Sequence, residues 1–171
     1  MPHDLNIINP EGLRRDGRRE KELRQIKCEL GISSCDGSAY YSQGNTQVMA
    51  YIHGPVEANK WSDSKYDEAV IKCQFNQTNY SQFIHRTHHI YQRKAKQHSK
   101  MIIDTFSDII LADLYPRSVI FITITVLQDD GELLSCALNA TTLALIDAGI
   151  AMKDMLIACS VGIVRDQIYL D

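Results

Sequence analysis

Leu134 to Ala148 is a run in which nearly every side chain is small or apolar. A helix with that composition has no face to offer water, so the fold must bury it among other layers. Gly149 ends the run where a left-handed residue commonly closes a helix. Immediately upstream, Ser118 to Leu127 is rich in β-branched and aromatic residues and predicts a central strand. A tight polar loop around Gly131, from Gln128 to Glu132, joins the two.

The rest of the chain supplies the remaining layers. Arg24 to Leu30 alternates Ile26, Cys28 and Leu30 with Lys27 and Glu29, a strand pattern. Asp36-Gly37 turns into a strand at Ser38 to Ser42, and Gly44-Asn45 turns into another at Thr46 to His53, which Gly54-Pro55 ends. A polar loop from Val56 to Tyr66 precedes a fourth strand, Ala69 to Phe75, so the opening reads as a meander of short antiparallel strands. Asn76 to Tyr91 shows no period and reads as loop. Arg93 to Leu114 carries Ile102, Phe106, Ile109, Ile110 and Leu114 near helical spacing, and Tyr115-Pro116 stops it. Met155 to Val164 predicts a last strand. Four strands, helix, strand, helix, strand argue for an α+β layer fold with helices on one face of a mixed sheet.

The 171 residues fit one domain, and a domain of this size buries roughly 70% of its unfolded surface. No apolar run reaches the roughly 20 residues that span a bilayer, and Met1 to Glu11 lacks the apolar core of a signal peptide. An intracellular protein with no membrane partner is expected. Five cysteines without a CxxC pair read as buried, reduced thiols. The histidines lack the spacing of a structural metal site, so neither a metal nor another cofactor is expected. Net charge is −3, which gives no hint of a nucleic-acid partner. Its distribution does: from Glu68 to Asp104 no acidic residue intervenes, while Lys72, Arg86, Arg93, Lys94, Lys96 and Lys100 fall in that span. Such a stretch makes a local positive field, although a solvated loop and helix start would look the same.

Several motifs, in order, resemble one family. Gly12-Leu13-Arg14-Arg15-Asp16-Gly17-Arg18, Gly37-Ser38-Ala39 with Gln43-Gly44-Asn45-Thr46-Gln47-Val48, and Gly54-Pro55 are similar to the opening of RNase PH-like domains. Leu114-Tyr115-Pro116-Arg117-Ser118, Leu127-Gln128-Asp129-Asp130-Gly131, Asn139-Ala140 and Ile146-Asp147-Ala148-Gly149-Ile150 continue the series. The resemblance is strongest to subunits of the eukaryotic exosome core. It implies an RNase PH-like (ribosomal protein S5 domain 2-like) fold, spanning residues 1–171 as a single domain without the C-terminal part of the family domain.

The resemblance also implies a function. Enzymes of this family degrade RNA by phosphorolysis and hold inorganic phosphate on a small-residue loop after the central strand. The matching loop here is Gly131-Glu132-Leu133-Leu134. Glu132 brings a negative charge where an anion would sit, and like charges about 4 Å apart repel by roughly 4 kcal/mol at an effective dielectric near 20. The family's paired catalytic aspartates are expected beyond Asp171, and Asp166 and Asp171 are read as strand positions rather than catalysts. No catalytic residue is therefore assigned. The expected protein is a non-catalytic subunit of a six-member ring that binds and threads single-stranded RNA for 3′→5′ processing and degradation, rRNA included. Its expected partners are other RNase PH-like subunits, cap subunits and a hydrolytic nuclease, in nucleus, nucleolus and cytoplasm. The alternative is a phosphorolytic 3′→5′ exoribonuclease with its carboxylates outside this chain. By the resemblance Lys60, Lys65, Arg86, Arg93 and Lys94 contact RNA. Arg14, Arg15, Arg18 and Arg19 are expected to brace the fold through salt bridges, and Trp61 and Tyr66 to rest on protein rather than stack on bases.

Overall fold

A computed structural model describes residues 13–14, 16–57, 65–78, 81, 88–164 and 167–171, with backbone alone at 88–91. Seven strands and two helices are present among them: β1 (Ile26–Leu30), β2 (Gly37–Gln43), β3 (Thr46–Glu57), β4 (Val70–Gln77), α1 (His88–Ile109), β5 (Ser118–Gln128), α2 (Leu133–Asp147), β6 (Val161–Val164) and β7 (Gln167–Leu170). The first five strands make one mixed sheet in the order β1-β2-β3-β5-β4, and β6 and β7 form a separate hairpin. The α+β expectation, with a mixed sheet and packed helices, holds.

Strand β5 is central because its sequence can be buried. Val119, Ile120, Ile122, Ile124 and Val126 are all at most 2% exposed. Ile122, Ile124 and Val126 pair across with Ile52, Ala50 and Val48 of β3, which are fully buried too. On that inner face α2 packs over β2 and β3, and α1 over β4. Ile102 and Phe106 from α1, with Ile110 just beyond it, and Cys136, Ala137, Ala140, Ala144 and Leu145 from α2 complete the core. The small residues of α2 let it lie close to the sheet. At Gly37 an added Cβ would sit 2.6 Å from the Ala148 Cβ and closer still to the Ala144 carbonyl oxygen, so only glycine fits there.

Several sequence expectations are corrected. The opening is not a four-strand meander, because β4 does not pair with β3. It lies parallel to β5 at the sheet edge, with α1 as the long connection that a parallel pair requires. Gly54-Pro55 does not end β3. The strand runs on to Glu57 across a register shift between His53 and Val56, and a residue without an N–H is tolerated at such a bulge. α1 starts at His88, inside the stretch read as loop, because its first turns carry no apolar period to reveal them. It ends at Ile109, leaving Ala112–Leu114 as a single 3₁₀ turn. The last predicted strand narrows to β6, with β7 unforeseen. Cys136 is buried, and burial pushes its thiol up to about 12. Cys28 and Cys159, however, are exposed, so the all-buried reading fails for them. All five thiols are free.

Candidate nucleic-acid interface and the carboxylate–arginine cluster

One end of the sheet gathers residues from five separate parts of the chain. The β2–β3 turn, the β5–α2 loop, Arg24, the N-terminal segment and the end of β7 meet there. Thr46 Oγ1 donates to the Gly131 carbonyl at 2.7 Å and accepts from the Asp130 N–H at 3.1 Å, which fixes the loop against the hairpin. Glu132 then takes the residue position before α2 in a left-handed conformation, φ 57°. That conformation turns its side chain inward rather than toward the helix N–H groups, and no side-chain cap bond forms.

The Glu132 carboxylate is met by Gln43, whose Nε2 donates to Oε2 at 2.6 Å and to the Asp171 carbonyl at 3.0 Å. Oε1 is buried without a hydrogen-bond partner among the described residues. Burial raises the Glu132 carboxyl above the usual range and the Asp171 charge adds to the rise; nearby Ser160 and Arg24 oppose it only in part. Leu133 is buried, and half-buried Leu134 packs on the core, so neither turns a polar group toward the loop. An incoming anion would find a carboxylate, no hydroxyl and no cation within the loop itself.

Asp171 is the second carboxylate. Arg24 holds it by Nε and Nη2 at 2.8 and 2.6 Å, Arg18 by Nη2 at 2.7 Å, and Arg14 stands at 3.6 Å. Burial alone would raise the Asp171 carboxyl, but the Arg18 and Arg24 hydrogen bonds and charges outweigh it and keep it below the usual range. Arg14 also donates to the carbonyls of Glu20 and Leu170 and lies over the Tyr169 ring at 5.3 Å. The bracing role expected of Arg14 and Arg18 is what these contacts do; Arg15 lies outside the described residues. Arg24 is a site residue that no sequence motif contains; Gln43 stands in the hairpin motif without a role of its own, and Asp171 reads in the sequence as a strand position only. A nearly buried glutamine in an otherwise small and aromatic strand is the one available signal, at Gln43.

The RNA-contact candidates divide. Arg93 and Lys94 are exposed on the second turn of α1. That end of the helix adjoins the loop: His98 stacks edge-on against Phe75 at 5.1 Å, and both the Lys94 and Asp129 charges act on it. The placement does not serve helix stability. α1 has no acidic residue in its first turn and no basic one in its last, so its dipole is left uncomplemented at both ends. Lys65 is at the other end of α1, beside Ser107, and is paired with Glu68. Counting from residue 93 to residue 107 along the helix axis puts the two groups about 21 Å apart. Lys60, Arg86 and Trp61 lie outside the described residues.

Residues 22–151 match the family model described as 3′ exoribonuclease family, domain 1. The chain belongs to the RNase PH family. Among its RNase PH relatives, the exosome complex component RRP41 homolog of Arabidopsis thaliana is 43% identical over 98% of this chain and 70% of the relative. Exosome complex component ski6 of Schizosaccharomyces pombe is 39% identical, over 100% of this chain and 71% of the relative. Among solved RNase PH folds, rice Rrp46 superposes with a TM-score of 0.79 at 28% identity, covering 92% of this chain and 70% of that one. A chain of the Archaeoglobus fulgidus exosome superposes with a TM-score of 0.73 over 94% of this chain and 71% of that one; at 21% identity it bears on the fold alone.

Proposed function

We propose that this chain is a core ring subunit of the RNA exosome that binds and threads single-stranded RNA for 3′→5′ processing and degradation, rRNA included, without cutting it. Similarity to RRP41 proteins over nearly the whole chain supports the ring-subunit part. Its neighbours would be other RNase PH-like subunits of a six-member ring, with cap subunits and a hydrolytic nuclease, in nucleus, nucleolus and cytoplasm.

The observation that carries the non-catalytic part is Glu132. Its carboxylate lies in the loop that the family resemblance implies would hold phosphate, and Gln43 donates to it at 2.6 Å. Desolvating a second anion beside it would add repulsion of the order of several kcal/mol. RNA is then gripped through its phosphates by basic side chains such as Arg93 and Lys94, whose contribution is electrostatic and falls with salt.

Two measurements on the purified ring test this reading. Incubation of RNA with inorganic phosphate should release no nucleoside diphosphates that depend on this chain, and such release would establish the phosphorolytic alternative. Replacing Arg93 and Lys94 by alanine should weaken RNA binding and reduce the slope of log affinity against log salt by about 1.4, at roughly 0.7 per phosphate contact on a single strand. An unchanged slope would leave the subunit a pure assembly module.

A further inference from the structure

The end of the sheet away from Glu132 carries a second constellation. Tyr66 is 74% exposed, more than any other described aromatic residue. The Arg117 guanidinium lies over its ring, 4.6 Å from the centroid. Arg117 is one of two described non-glycine residues with positive φ, at 57°, a conformation that is costly for a side chain with a Cβ. The turn is pinned on both sides. Arg117 N–H donates to the Lys65 carbonyl at 3.2 Å, and the Ser118 hydroxyl donates to the Tyr115 carbonyl at 2.6 Å. Strained backbone thus keeps a guanidinium stacked on an exposed ring.

The surroundings decide what such a stack suits. Tyr66 stands among charged neighbours, with Lys65 and Asp67 exposed and Glu68 half-buried. A protein anchor residue is normally packed in an apolar pocket, whereas the contact made by the Tyr66 ring among the described residues is the Arg117 guanidinium. Nor is the patch a phosphate groove. Lys65 is tied to Glu68, and Glu57 pairs across the sheet from Ser118, beside Arg117. With little net positive charge, attraction must come through the open ring face. A flat π surface such as a nucleobase stacks on an aromatic ring irrespective of its sequence.

We propose that Tyr66 and Arg117 form a base-stacking step for single-stranded RNA. It lies on the order of 20 Å from Arg93 and Lys94 along α1. The inference rests on the RNA-binding function above and adds to it a site held by stacking rather than by charge. Tyr66 rests on its own domain through Arg117, as the sequence reading expects, and the proposal adds a base on the rest of its exposed ring.

The test uses the assembled ring and two probes of about twelve nucleotides, an oligoadenylate and an abasic strand with the same backbone. Tyr66→Ala should weaken oligoadenylate binding by roughly five- to a hundredfold, leave abasic binding unchanged and keep the salt slope. Tyr66→Phe, which keeps the ring, should bind within about twofold of wild type. Arg117→Gly tolerates the left-handed turn and should lose part of the same base-dependent binding. Unchanged oligoadenylate affinity in Tyr66→Ala overturns the proposal while the subunit still binds RNA elsewhere. Equal loss on both probes, or release of a ring neighbour, overturns it in favour of a phosphate or protein contact. Wild-type ring that binds neither probe overturns this site and the RNA-binding function together.

Discussion

Replacing Asp171 by asparagine keeps its shape and removes only the charge on which three arginines converge. At neutral pH the wild-type carboxylate accepts three charged hydrogen bonds from Arg18 and Arg24. Breaking a fully buried ion pair costs roughly 3–5 kcal/mol, whereas exposed pairs contribute about 0–1. The Asp171 side chain is 27% exposed and its partners 12–17%, so the cluster lies between these limits. About 2 kcal/mol is expected for Asp171→Asn on that interpolation. With a urea m-value near 2 kcal/mol/M, the midpoint should fall by about 1 M at pH 7. The pH dependence has a definite sign. The folded Asp171 carboxyl titrates below its ordinary value of 3.8, so its stabilisation is present above that pH and is lost as pH falls through the lower folded value. The gap between wild type and Asp171→Asn in urea should therefore narrow as pH falls below 3.8. Equal midpoints at pH 7, or a gap that persists undiminished at low pH, would refute the reasoning.

Two further substitutions test neighbouring parts of the structure. Glu132 titrates above its ordinary value of 4.5, so its carboxyl contributes most below that pH and loses the contribution as pH rises through the folded value. Glu132→Gln, which can still accept from Gln43, should gain stability relative to wild type as pH rises above 4.5 in urea melts; a constant difference would contradict the burial of that charge. Gly37→Ala should destabilise by about 1–3 kcal/mol in the same melts, because its methyl group meets the backbone of α2. A shift under about 0.5 kcal/mol would mean that α2 has room to move away from β2 at little cost.

Patterns confined to one element are legible in the amino-acid order by itself. The β-branched run of β5 and the uniformly apolar α2 each report their burial through local composition, and both elements lie within a residue of their expected bounds. The polar first turns of α1 have no such signal, since a helix that faces solvent at its start shows no apolar stripe there. The Gly131–Leu134 loop is recognisable by its order in the chain, yet the direction in which Glu132 points is not, because that follows from a left-handed backbone and from Gln43.

Sequence alone determined the layers and the family, since hydrophobic period and ordered motifs are properties of neighbouring residues. Tertiary structure decided everything that joins residues far apart in the chain. It set β4 beside β5 rather than β3, drew Arg18 and Arg24 onto Asp171, and separated Lys65 from Arg93 along the length of α1. The physical reason is that packing α1 and α2 onto one sheet fixes strand order and which charges meet, and no local periodicity encodes either choice.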